Sequence, residues 1–294
     1  MGVFQAVASG FSTAAKSIKL WLLLVIISFV IMAVSIPIII ATFGPNAFQA
    51  GGAGPSPADV GPGGIAIFVI MIIVAIVVQV FLNAGTVGTL KDTVKSGSLN
   101  LGGFVANAKK LFVKFLIFGI VMFLIMALAM VVFILLGGVI GAIGNQVNIL
   151  GIVLGLILFV IFAAVAVLLG SYGSLGPIVI AAEDKGLGEA MSKALAFLKA
   201  NFWKVLGLLI VLLAIFGIAM FVMFVLFFVI GLVLGVSSGG AAIGGGTELT
   251  INIVSRVIWN LVGTYLTLIF ISSLISYYLG NAGSTQAAGT APQA

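Results

Sequence analysis

The run WKVLGLLIVLLAIFGIAMFVMFVLFFVIGLVLG, from Trp203 to Gly235, carries a single charge, Lys204, at its very start. A helix needs roughly 20 consecutive apolar residues to cross about 30 Å of hydrocarbon, and this run exceeds that length. Five further runs share its character: Leu20 to Phe43, Ile65 to Leu90, Leu111 to Gly137, Ile149 to Leu169 and Ile251 to Leu279. With 63% hydrophobic and 6% charged residues over 294 positions, the chain lacks the polar surface that water would require. The fold class expected is all-α, a polytopic bundle of six transmembrane helices.

The charges orient that bundle. Lys16 and Lys19 precede the first span; Lys91, Lys95, Lys109, Lys110 and Lys114 fall between the second and third; Lys185, Lys193, Lys199 and Lys204 fall between the fourth and fifth. Arg256 alone lies on the other side. Cytoplasmic loops retain Lys and Arg, so the distribution predicts a multi-pass cell-membrane protein with both termini in the cytoplasm. The first apolar run is too long for the core of a cleaved signal peptide and reads as a retained helix. The net charge of +6 is accounted for by this bias, which points to anionic lipid headgroups and away from nucleic acid.

The inner connections carry apolar residues at three- and four-residue steps, the spacing of helices that lie in the headgroup plane. They are Phe4, Val7, Phe11, Ala15 and Ile18; Leu101, Phe104, Val105, Ala108 and Leu111; and Leu187, Met191, Leu195, Leu198 and Phe202. In the third, Glu189 and Lys193 stand in the favourable order for an ion pair one helical turn apart. At constant offsets, Phe11, Ala15 and Lys16 align with Phe104, Ala108 and Lys109, while Lys109, Phe112 and Lys114 align with Lys199, Phe202 and Lys204. One transmembrane domain over residues 1–280 is expected, built from parallel repeats 1–90, 91–182 and 183–280. The outer connections Gly44 to Gly64, Gly138 to Asn148 and Val236 to Leu249 are rich in Gly and read as flexible. Residues 281–294, uncharged and small, read as a disordered tail.

Catalytic chemistry finds few groups. There is no Cys and no His, which removes thiolate and imidazole ligands and the usual general base. The six acids are Asp59, Asp92, Glu183, Asp184, Glu189 and Glu248, none of them inside an expected span. The adjacent Glu183 and Asp184 fit a water boundary or a helix cap better than a metal site. No phosphate-binding loop is present. No catalytic residue, metal ligand or cofactor is therefore assigned, and the chain reads as a non-enzyme.

Two sets of residues remain. Lys109, Lys114, Lys199 and Lys204 are candidate lipid-headgroup contacts, because a lysine near a span end extends its ammonium to the interface. Arg256, Asn260, Thr264 and Thr267 recur at helical steps in the last span and form a candidate intramembrane polar stripe, which must face protein, water or another polar group. Glu248 could reach Arg256 as a weak surface pair. Gln79 and Asn83, one turn apart, read as hydrogen-bonding residues between helices. Pro37 should kink the first span, and Pro177 should end or bend the fourth.

The stretch GPIVIAAEDKGLGEA, Gly176 to Ala190, followed by FLKANFWKVLG, Phe197 to Gly207, resembles the membrane domain of glycerophosphoryl diester phosphodiesterases and related stand-alone prokaryotic six-span families of unknown function. The resemblance implies a six-helix membrane module. It implies no phosphodiesterase activity, which in those proteins belongs to a separate soluble barrel containing His and acidic residues. The expected function is a membrane-organising or accessory module that contacts anionic lipids, a membrane-protein partner or a second copy through its basic face. The alternative is a transporter or channel for a small solute or ion.

Overall fold

The structure, a computed structural model, describes the backbone of residues 1–43, 62–143, 149–237 and 245–289, and side chains within 1–42, 62–141, 151–230 and 254–282. Among those residues every regular element is helical: α1 (Val3–Lys16), α2 (Ile18–Phe43), α3 (Pro62–Ser96), α4 (Phe104–Ile143), α5 (Ile149–Glu183), α6 (Leu187–Ser237) and α7 (Gly245–Gly289), with one 3-10 turn at Leu101–Gly103. The six helices α2 to α7 are long and apolar enough to cross a membrane. Helices are the expected solution, since hydrocarbon offers no partner for a backbone N–H or C=O and a helix satisfies both internally.

Several helices outrun their apolar spans. Lysine-side segments that precede the third and fifth spans are fused onto them, so α4 begins at Phe104 and α6 at Leu187. Asn201 leaves helical geometry within α6 (φ −124°, ψ 20°), and its Nδ2 donates to the Phe197 carbonyl at 3.2 Å. Ser17 makes a similar break between α1 and α2 (φ −96°, ψ 23°). In α4 the amphipathic start continues directly into the span.

Of the two outcomes expected at Pro177, an end or a bend, the helix does not end there, since α5 runs on to Glu183; Pro37 lies inside α2. Membrane helices tolerate such prolines because neighbouring helices and hydroxyl side chains re-satisfy the freed backbone groups. The helical backbone of α7 also continues past Asn281 to Gly289; the rest of the expected disordered tail, residues 290–294, lies outside the described residues. Of the expected Gly-rich outer connections, residues 44–61, 144–148 and 238–244 lie outside them too, as does the Glu248 side chain; residues 138–143 continue α4, and residues 236–237 and 245–249 belong to α6 and α7.

The packing is cyclic. Helices α3, α5 and α7 touch one another pairwise at the centre, while α1 packs on α7, α4 on α3 and α6 on α5. The buried core sits almost wholly in the lysine-bearing half, in residues such as Leu20, Leu90, Leu175, Leu208 and Ile275, whereas the other half presents large apolar side chains outward. Small residues allow the close approaches. Gly10 of α1 faces Ser273 and the Ile269 carbonyl of α7, Gly85 of α3 receives the Phe104 ring, and Gly176 of α5 receives the Phe118 ring.

Candidate functional site

At the lysine-bearing end, α5 stops at Glu183 and the chain turns through Asp184 in the left-handed region (φ 51°). Asp enters that region more readily than most side chains. The turn places two carboxylates in different surroundings. Glu183 accepts from Lys193 Nζ of α6 at 2.9 Å and from the Tyr278 hydroxyl of α7 at 2.8 Å, tying three helices together. The Phe197 and Tyr278 rings meet edge to face beside it, with centroids 4.9 Å apart. Asp184 reaches α4 instead, with Lys110 Nζ at 2.6 Å and Lys114 Nζ at 3.8 Å.

The remaining described acids at the lysine-bearing end are also engaged. Asp92 pairs with Lys91 at 3.2 Å and accepts from Asn107 Nδ2 at 2.8 Å. Glu189 pairs with Lys185, one turn before it. The sequence pattern favoured Glu189 with Lys193; the structure gives Lys193 to Glu183, which the α5–α6 turn brings closer in space than in sequence. Thus every described acid at this end has a lysine partner. Glu183 and Asp184 serve as ion-pair hubs, and no group of metal-ligating side chains occurs among the described residues.

The four candidate headgroup lysines divide. Lys114 is half-buried and donates to the Lys185 carbonyl at 2.8 Å, so its ammonium is used within the protein. Lys109, Lys199 and Lys204 are exposed, as are Lys16, Lys19 and Lys95. None of these six lies within ion-pair distance of a described carboxylate. Comparison with protein-family models, curated proteins and solved structures finds no match to the chain.

The hydrogen bond from Lys110 holds the Asp184 carboxyl below its ordinary value, outweighing a smaller opposing effect of burial. A lowered folded value means that the contribution to stability is present above the unfolded value of about 3.9 and is lost as pH falls through the lower folded one. Wild-type protein should therefore melt above Asp184→Asn at pH 7, and the gap should close below about pH 3. A gap of constant size across that range, measured by thermal unfolding in detergent, would assign the difference to packing.

The second candidate set separates as well. Arg256 is exposed near the opposite end of α7. Asn260 stands 3.5 Å from the Thr264 hydroxyl, and Thr267 donates to the Gly263 carbonyl at 2.8 Å. Thr264 and Thr267, without Asn260 and Arg256, line a cavity of about 140 Å³ together with Ser28 of α2 and Gln79, Asn83 and Thr86 of α3. Gln79 and Asn83 were visible in the sequence as a polar pair. Their meeting with α7 was not, because nothing in one helix announces which neighbour it faces. Ser28 and Thr86 were missed; a hydroxyl inside an apolar run was their sole signal.

Proposed function

We propose that the chain is a non-enzymatic integral membrane module that gathers anionic lipid, or a partner complex, at its lysine-bearing face. That face and both termini would be cytoplasmic, in a cell membrane. The observation that carries the reading is the charge balance: inner carboxylates are consumed in ion pairs, while six exposed lysines keep their charge for the surroundings. Each such lysine near an anionic surface contributes about 1 kcal/mol of attraction.

The amphipathic segments fit this reading unequally. In α1 the small residues Ala6, Gly10 and Ala14 are buried, Gly10 against α7, leaving Phe4 and Phe11 exposed for acyl chains, with Ile18 exposed at the start of α2. The α6 start has exposed Leu195, and after the break at Asn201 come exposed Trp203 and Lys204, a pairing suited to the interface. In α4 the stripe turns inward through Phe104, Ala108 and Leu111, so α1 and α6 are the interfacial helices of this proposal. Three parallel repeats are supported by a recurring link from each returning helix to the next leading segment. Asp92 binds Asn107, Glu183 binds Lys193, and Asn281 Oδ1 binds the Met1 ammonium at 3.0 Å.

Spin-labelled phosphatidylglycerol should associate with the reconstituted protein several-fold more strongly than phosphatidylcholine. Replacing Lys16, Lys109, Lys199 and Lys204 with Gln should remove most of that preference, and about 1 M salt should mimic the substitution by screening. Equal association of the two lipids with wild-type protein, with no partner retained through purification, overturns the proposal.

The polar cavity supports the second reading, a path for a small solute. Liposomes containing the protein that pass glycerol no faster than empty ones would remove it.

A further inference from the structure

The polar cavity between α2, α3 and α7 does not stand alone. Gln79 lines both it and a larger groove of about 470 Å³ between the outer halves of α2 and α3. Ser35 and Gln79 apart, that groove is walled by apolar side chains, including Val30, Val34, Ile38, Ile70 and Val74. Along α3, Ile70 to Gln79 spans about 13 Å at 1.5 Å per residue. A long apolar trough thus ends in a small polar chamber, open at one side, where the Gln79 and Asn83 side chains are exposed.

The chamber is uncharged. Ser28, Gln79, Asn83, Thr86, Thr264 and Thr267 supply its polar groups, and no Lys, Arg, Asp or Glu lines it. Its position is deep: Gln79 and Thr267 stand about 20 Å along their helices from Asp92 and Asn281. At that depth an unmatched amide or an unpaired charge is costly. The Gln79 Nε2 to Asn83 Oδ1 distance is 3.4 Å, a weak bond that leaves one amide carbonyl and one amide amino group without a described partner. Either orientation of the two amides leaves such a pair. A hydroxyl group satisfies both at once, donating to the carbonyl and accepting from the amino group.

We propose that this composite groove binds a neutral lipid whose small head carries a free hydroxyl, as in a diacylglycerol, with an acyl chain along α2 and α3 and the hydroxyl at Gln79 and Asn83. A phospholipid is disfavoured, because its phosphate would enter the chamber with no cation to meet it. A water-soluble polyol would fill about 140 Å³, room for roughly four to five waters, yet leave the trough unexplained. The inference is independent of the lysine face.

The test uses the full chain in phosphatidylcholine nanodiscs with a photoactivatable diacylglycerol, and in parallel the same diazirine chain on phosphatidylcholine. Adducts between residues 70 and 83 should be about fivefold more abundant with the diacylglycerol, the ratio expected of about 1 kcal/mol of net hydrogen bonding. Gln79→Leu with Asn83→Leu should bring labelling down to the phosphatidylcholine level. Should that pair fail to fold, Thr264→Val with Thr267→Val removes hydroxyls from the same chamber with little change of volume, and should lower the ratio in part. Equal labelling by the two probes, or a ratio that survives in the folded variants, overturns the proposal.

Discussion

Gly10→Val will separate α1 from α7. A Cβ at position 10 falls 1.9 Å from Ser273 Oγ and 2.9 Å from the Ile269 carbonyl oxygen. The hydroxyl has little freedom to retreat, being bonded to that same carbonyl at 2.7 Å, and the carbonyl belongs to a helix backbone. Relief therefore requires the helices to move apart, which also breaks the Ser9 to Ser276 contact at 2.9 Å. Overpacking costs 1–3 kcal/mol in a typical core, and a backbone clash with a β-branched side chain places this substitution at about 3 kcal/mol. The chain contains no cysteine, so Ser9→Cys with Ser276→Cys supplies an otherwise silent crosslink. It should close readily in the parent and poorly with Gly10→Val. Gly119, which has open space where its Cβ would stand, should accept Ala with no loss. Equal crosslinking with and without valine would mean that the α1–α7 approach is not a close one.

Glu183→Leu is the second large effect. It strands the Lys193 ammonium and the Tyr278 hydroxyl together, at a junction where Glu183 and Lys193 side chains keep only 20% and 29% of their exposure. Removing one member of a buried ion pair costs 3–5 kcal/mol, and residual solvent access brings the expectation here to about 2–3 kcal/mol. Glu183→Gln keeps an acceptor for Tyr278 and should lose about half as much. By contrast, Asp184 and Lys110 are each 55% exposed, so solvent screens the pair and Asp184→Asn should lower the unfolding midpoint least at neutral pH. The order of unfolding midpoints, wild type above Asp184→Asn above Glu183→Gln above Glu183→Leu, is the measurement. Similar midpoints for the two Glu183 variants would show that the leucine's packing makes up for the lost bonds.

The difference between those two acids was not legible beforehand. Glu183 and Asp184 are neighbours in sequence, and both looked like markers of the water boundary. What divides them is one residue of left-handed backbone at Asp184, which sends the first carboxylate toward α6 and α7 and the second toward α4. Lys193 shows the same thing. The local pattern paired it with Glu189, and a chain reversal paired it with Glu183.

Six long apolar helices could be read from residue order alone, because hydrophobic transfer and backbone satisfaction depend on composition along a single segment. Their arrangement could not. The central trio of α3, α5 and α7, the wrapping of α1 onto α7, and the meeting of Gln79 with Thr267 all depend on which faces pair. Apolar side chains gain little by choosing one apolar neighbour over lipid, so periodicity is nearly silent about partners. Shape decides instead, through glycines that admit a ring or a backbone and through the few polar groups that need an answer from another helix.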